Sequence, residues 1–278
     1  RGLVGSEMCI RDSNMINDLC VTGIGTGTDD TKIPIRFERN YSLTTGCVFL
    51  MKLQRRLAVL DRIYRLYLEF IKNVDLACQH YCAACCTCNM TLTTLEGYYI
   101  IADMDGATRK ALFEKVRAVS GNKRFQPQLT INTIAQLCKN GKPVPDELID
   151  PSWGTCPLLT DNACPIYTLR SFGCRCMVSR LDCRETGHAH VDEFILTVNN
   201  LFLQHIEHID PCGGTGSLID MLLYFELPDH METYQRKMTI TEDAGLAPNR
   251  PIPVLMVPPE HRHRVLPMLQ KLQRLDQT

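Results

Sequence analysis

Ten of the chain's fifteen cysteines fall in two short stretches, and this clustering constrains the fold more than any other feature. Cys78, Cys82, Cys85, Cys86 and Cys88 lie within eleven residues, and Cys156, Cys164, Cys174, Cys176 and Cys183 form the second group. Thiolates are soft, charged ligands that suit zinc and iron–sulfur centres. The tight spacing of the first group lets several sulfurs from one turn converge on one ion. The second group has seven and nine residues between Cys156, Cys164 and Cys174, so only the fold can bring these three together. No basic-then-apolar segment opens the chain, so secretion has no support and a reducing, cytoplasmic setting is expected. There, such clusters read as metal ligands or redox centres, and an odd total fits a full disulfide framework poorly.

At 278 residues the chain is long enough to bury a core without disulfides or metal. Its 45% hydrophobic and 22% charged residues are those of a globular protein. A net charge of -1 argues against a basic nucleic-acid binder. No apolar run approaches the roughly 18 residues of a membrane span, so the partner expected is a metal ion and not a membrane.

The hydrophobic periodicity predicts a mainly α fold: an irregular helical domain with a cysteine-rich metal-binding centre and few or no strands. Residues 1–13 read as a non-native prefix of the read-through kind, and Cys9 is set aside with them. Residues 14–46 form an N-terminal loop segment. Its Gly23, Gly25 and Gly27 lack the strand–helix context of a phosphate loop. A helical cysteine-cluster domain is expected over 47–226 and a C-terminal extension with a final helix over 227–278. From about Val48 to Val74, Leu53, Leu57, Leu60, Tyr64, Tyr67 and Ile71 recur at helical spacing, while Arg55, Arg56, Asp61, Arg62, Arg65, Glu69 and Lys72 read as the solvated face. Thr93 and Glu96 have capping-box spacing, which assigns Glu96 to a cap and not to acid–base work. Further helices are predicted over about 107–119, 131–139, 191–209, 216–225 and 259–275, with a proline-rich loop at 141–157.

Several motifs together resemble a known family. Cys82-x2-Cys85-Cys86, Leu92-Thr93-x2-Glu96, Cys156-Pro-Leu-Leu, Cys164-Pro-Ile-Tyr and Arg170-x3-Cys174-Arg175 occur in that order. They are similar to the YkgJ-type cysteine-cluster proteins, which carry a CxxCxxCC pattern and are regarded as zinc- or iron-chelating domains. The resemblance covers roughly residues 78–176. Cys78 lies three residues ahead of Cys82 where the family has two, and Ser171 stands where the family often has proline. The same kind of cluster occurs in flagellin lysine N-methylases, so the resemblance also admits a protein-modifying methyltransferase.

The expected ligands are Cys82, Cys85, Cys86, Cys156, Cys164 and Cys174, with Cys78, Cys88, Cys176 and Cys183 as further candidates. One tetrahedral ion needs four, so six or more thiolates imply two sites or one centre with spare cysteines. Four thiolates on Zn²⁺ leave a charge of about -2, which donors on Arg170 and Arg175 would offset. His188 and His190 share a strand face near Cys183, and His205 and His208 lie three apart on a predicted helix. The simpler reading, surface or core histidines, is preferred for both pairs. The function expected is metal binding, zinc or an iron–sulfur cluster, in a structural or redox role. The alternatives are a lysine N-methyltransferase, for which no dinucleotide-type fingerprint is visible, and a zinc-dependent interaction module.

Overall fold

Thr93 and Glu96 close the capping box that their spacing predicts. The Glu96 N–H donates to Thr93 Oγ1 at 3.3 Å and the Thr93 N–H donates to Glu96 Oε2 at 2.8 Å. In this computed structural model, which describes residues 53–241 and 245–275, the box starts α2 (Thr94–Ala102) after the short strand β1 (Thr91–Thr93). It follows the long helix α1 (Leu53–Ile71). The expected prefix at 1–13 and loop segment at 14–46 lie outside the described residues.

The fold is mainly α, as the periodicity predicted. After α2 come α3 (Gly106–Ala118), α4 (Ile131–Lys139), the short turns α5 (Phe172–Arg175) and α6 (Cys183–Thr186), and α7 (Glu193–His208). The strand β2 (Gly214–Ser217) leads into α8 (Leu218–Glu226) and α9 (Pro228–Lys237). The strand β3 (Ala247–Pro248) and α10 (Arg262–Leu275) complete the order. The three strands form one antiparallel sheet, β1-β2-β3, with Leu92 opposite Gly216 and Thr215 opposite Ala247. Helix α8 packs on α2, α3 and α9, while α1 packs on α2, α7 and α10. One apolar core runs from Leu53 through Phe202 and Tyr234 to Leu272, so the C-terminal helix shares it with the cysteine region. At its centre Phe172 and Phe202 stack at 5.6 Å, and Tyr67 stands edge-on to both.

Arg56 departs from its expected place on a solvated face. It is fully buried, with Nη1 3.7 Å from Asp210 Oδ1. Asp210 is also fully buried and collects donors from across the fold. The hydroxyls of Thr94 and Tyr234 donate to it at 2.5 and 2.8 Å, and the Leu95 N–H donates at 3.0 Å. Burial pushes its carboxyl up, to about 6, against the pull of these donors and of Arg56. A helix wheel read from apolar positions cannot show this, because the partner lies far downstream, just past the end of α7. Substituting Asp210→Asn puts an amide donor where the carboxylate accepts, leaving buried groups unmatched. The expected loss is about 2–4 kcal/mol in urea unfolding, and a loss under about 1 kcal/mol would contradict this role.

His205 and His208 are core residues, both buried, and among the described residues no three metal donors gather around them. His208 Nδ1 accepts the Ile252 N–H at 3.1 Å. Burial pushes both imidazoles down, to about 4. An unfolded histidine takes up its proton near pH 6.5, so the stability these two contribute is fully present above that and is lost as pH falls towards 4. The urea midpoint should therefore drop between about pH 7 and 4.5. His208→Asn keeps an acceptor but cannot charge, so it should flatten that drop, and an unchanged slope would show that His208 does not carry it.

Candidate metal centre

The two cysteine segments are joined by backbone. Thr87 and Thr155 form an antiparallel bridge, flanked by the Cys156 N–H donating to the Cys86 carbonyl and the Cys88 N–H donating to the Gly154 carbonyl, both at 2.9 Å. Gly154 sits at φ 143°, where a side chain is strained, and this lets the chain turn from the proline-rich loop into the pairing. A two-residue reversal then returns the chain from Cys156 to Cys164. Asp161 and Asn162 adopt φ of 50° and 61°, and Thr160 and Ala163 exchange hydrogen bonds at 3.0 and 2.8 Å. Asp and Asn tolerate the left-handed region that such a primed turn requires.

Cys174 comes in on α5. The Phe172 N–H donates to Glu96 Oε1 at 2.6 Å, and the Tyr64 hydroxyl donates to the same oxygen at 2.9 Å. Glu96 thus ties α1, α2 and α5 together beneath the cysteines. Gly173 lies so close to β1 that a Cβ there would stand 2.7 Å from the Thr91 carbonyl oxygen.

These connections enclose a cavity of about 380 Å³. Cys78, Cys82, Cys85, Cys86, Cys156, Cys164, Cys174 and Cys183 all line it. Leu68, Met90, Leu158, Ile166, Met177 and Leu218 supply apolar wall, and Arg170 and Arg175 also face it. Cys88 and Cys176 do not line it. Both are buried, with Cys88 Sγ 3.7 Å from the Lys123 carbonyl and Cys176 Sγ 3.4 Å from the Gly173 carbonyl. All ten cluster cysteines are unbridged thiols, while Cys138 and Cys212, outside the cavity wall, are disulfide-bonded. Among the described residues, no three Cys, His, Asp or Glu side chains are gathered tightly enough to hold an ion as they stand. The thiols therefore surround a space and do not converge on a point.

The electrostatics show which of the eight feel one another. Cys174 feels Cys156, Cys86 and Cys164; Cys156 feels Cys86 and Cys164; and Cys164 feels Cys86. Every pair within this quartet is thus within electrostatic reach. Cys78 feels Cys183 and Cys82, and Cys85 feels Cys86, Cys78 and Cys174, so it is coupled to both groups. Burial pushes Cys156 up to about 11 and Cys174 up to about 12. Cys86 moves the other way, to about 7, because the Cys85 thiol donates a hydrogen bond to it, and that same bond pushes Cys85 up. Cys174 keeps some accessible area although protein atoms surround it, as a group facing an internal space does.

Backbone donors also act on the sulfurs. The backbone N–H groups of Leu158 and Leu159 pull the Cys156 thiol down against its burial, and that of Ile166 does the same for Cys164, although the hydrogen bond of the Leu159 N–H is made to the Cys156 carbonyl at 3.2 Å. In both Cys-Pro segments proline removes the next N–H, so the donors that reach the sulfur come from further along the turn. Donors of this kind stabilise a thiolate over a thiol. Arg170 lies with its Cζ 4.0 Å over the Tyr167 ring and has a buried Nε with no hydrogen-bond partner, and its charge reaches Cys86, Cys164 and Cys78. Arg175 has a different role. It donates to the carbonyls of Arg170 and Thr168 at 2.8 and 2.6 Å and stacks on Tyr64 at 4.2 Å, so it shapes the loop that carries Arg170.

Of the six expected ligands, Cys86, Cys156, Cys164 and Cys174 form the quartet, Cys85 adjoins it and Cys82 sits with the other set. Of the four further candidates, Cys78 and Cys183 join the cavity and Cys88 and Cys176 do not. His188 and His190 pack on each other at 4.5 Å outside the cavity wall. Sequence reasoning missed His80, which lines the cavity between Cys78 and Cys82, and the Asp161-Asn162 turn. The turn is readable from two adjacent left-handed-tolerant residues; the histidine gave no periodic signal. Comparison with protein-family models, with curated proteins and with solved structures returns no match.

In reduced, metal-free protein at about pH 7.5, iodoacetamide should label Cys86 at least about tenfold faster than Cys156 or Cys174, because only Cys86 of these three has an appreciable thiolate fraction there. Peptide mapping by mass spectrometry reads the order, and equal rates would contradict the hydrogen bond assigned to Cys85.

Proposed function

We propose that this chain is a metal-binding cysteine-cluster protein that holds zinc or an iron–sulfur centre on the thiolates of Cys86, Cys156, Cys164 and Cys174, with Cys85 alongside. The observation that carries the reading is the quartet itself. Four thiols from three separate segments face one cavity, all within electrostatic reach of one another. Four thiolates are the complement of a closed tetrahedral zinc site and equally of an iron–sulfur cluster. Supporting it are the N–H donors at Cys156 and Cys164 and the free Nε of Arg170 beside them. The resemblance to the YkgJ-type proteins rests on these same residues.

When bound, zinc would supply a rigid cross-link between the segments, and an iron–sulfur cluster would supply one-electron chemistry. The chain's own part is clearer. Burial keeps the thiols of Cys156, Cys164 and Cys174 protonated, so binding metal expels protons and tightens as pH rises. Arg170 offsets the negative charge left on the sulfurs.

Protein purified without oxygen should contain at least one equivalent of zinc, or of iron with acid-labile sulfide. Cys86→Ser with Cys156→Ser should lower that at least about tenfold, while Cys88→Ser, outside the cavity, should leave it unchanged. Wild-type protein with well under one equivalent of either metal would sink the proposal.

A further inference from the structure

The quartet leaves other donors of the cavity wall unused. Cys78, Cys82 and Cys183 line the cavity, Cys78 lies within electrostatic reach of the other two, and His80 belongs to the same lining. Two chain segments carry these groups, residues 78–82 and the stretch that leads into Cys183, and Ser179 ties them together. The Ala77 N–H donates to the Ser179 carbonyl at 2.9 Å, and the Ser179 N–H donates to Cys78 Sγ at 3.2 Å. The Ser179 hydroxyl donates to the Leu181 carbonyl at 2.7 Å and accepts the His190 N–H at 2.9 Å, which sets the approach to Cys183 at the start of α6. Cys82 follows Tyr81, a non-glycine residue held at φ 69°, and its N–H closes a turn onto the Gln79 carbonyl at 3.1 Å. His80 stands edge-on to Tyr81 at 4.2 Å and to Tyr167 at 4.7 Å, within the same wall.

We propose that Cys78, Cys82, Cys183 and His80 form a second, outer metal site in this cavity, which takes zinc or another soft divalent cation. Three thiolates and one imidazole are a standard tetrahedral zinc set. Their number matters: one four-coordinate centre uses four of the eight cavity thiols and would leave the rest as reactive groups around a shared space. The geometry adds two reasons. The Ser179 N–H is spent on a sulfur, a donor that pulls Cys78 towards the thiolate against its burial and remains in place for a bound metal. Tyr81, in the left-handed region, is backbone strain stored between two of the proposed ligands, where strain marks function. The donors are not gathered at rest. Cys78 and His80 are both exposed, so an arriving cation can draw them in without disturbing the core.

The outer site stands whatever the quartet holds, and the test keeps the two apart. Zinc is added in excess to the reduced, full-length chain without oxygen, unbound metal is removed, and native mass spectrometry counts zinc and iron. Wild-type protein should carry one zinc more than Cys78→Ser with Cys183→Ser, and the metal lost with the quartet variant should be unaffected. His80→Ala, an exposed position that leaves the fold intact, should weaken the outer zinc at least about tenfold in competition with a chelator. It decides the matter if the double variant fails to fold. Equal zinc in wild type and Cys78→Ser with Cys183→Ser, or a chelator affinity unchanged by His80→Ala, overturns the outer site. A wild type that takes this one zinc and nothing at the quartet overturns the proposed function and leaves the outer site standing.

Discussion

The short pairing between residues 86–88 and 154–156 is the contact on which the cysteine region depends. Two backbone hydrogen bonds at 2.9 Å, either side of the Thr87–Thr155 bridge, bring Cys86 and Cys156 side by side although they are remote in sequence. Everything downstream inherits that placement. The Asp161-Asn162 reversal delivers Cys164 to the same wall, and Glu96, anchored in the capping box of α2, holds the start of α5 and so Cys174. The helices do not themselves supply cavity cysteines over long faces. They build a rigid floor, and irregular loops stitched to that floor carry the sulfurs. This division of labour is common at functional sites, where a scaffold fixes loops that do chemistry.

The same burial produces opposite outcomes in two places. At the start of α2, Asp210 is surrounded by donors, together with Arg56, and the network binds α1, α2 and α9 to the segment after α7. Its carboxylate is matched within the protein. In the cavity the matching is incomplete. Sulfurs are pushed towards the neutral form by burial and by each other, backbone N–H groups pull Cys156 and Cys164 back, and Arg170 keeps a donor free. Polar groups left half-satisfied inside a fold are costly unless something else completes them. A cation does so for thiolates, which is why the chemistry of the donor set, more than its spacing, directs the reading to metal.

Much of this was legible in the sequence for stated physical reasons. The capped helices α2 and α4 were readable to within a few residues, and the period of α1 was readable over its described part, the expected start at 48–52 lying outside the described residues. The two cysteine groups pointed to the cavity wall by their clustering alone, since eight of the ten clustered cysteines line it. Other features were not legible. The strand β2 is Gly-Thr-Gly-Ser, which reads as a turn, and only its pairing with β1 and β3 makes it extended. Helix α9 has a largely polar sequence with one fully buried anchor, Tyr234, so it lacked an apolar stripe to announce it. Arg56 looked like surface because charge is normally solvated; its partner Asp210 is remote in sequence. The split of Cys88 and Cys176 from the other eight also needs three dimensions, because all ten share the same local spacing logic.

The central claim is that thiolates of the quartet ligate metal in the cavity, and X-ray absorption at the edge of the metal found in anaerobically purified protein tests it most directly. The account predicts a first shell of sulfur, at about 2.3 Å for zinc, that loses sulfur when Cys164 and Cys174 are replaced by serine. A first shell made of nitrogen and oxygen in the wild-type protein, or one indifferent to those two substitutions, would contradict it.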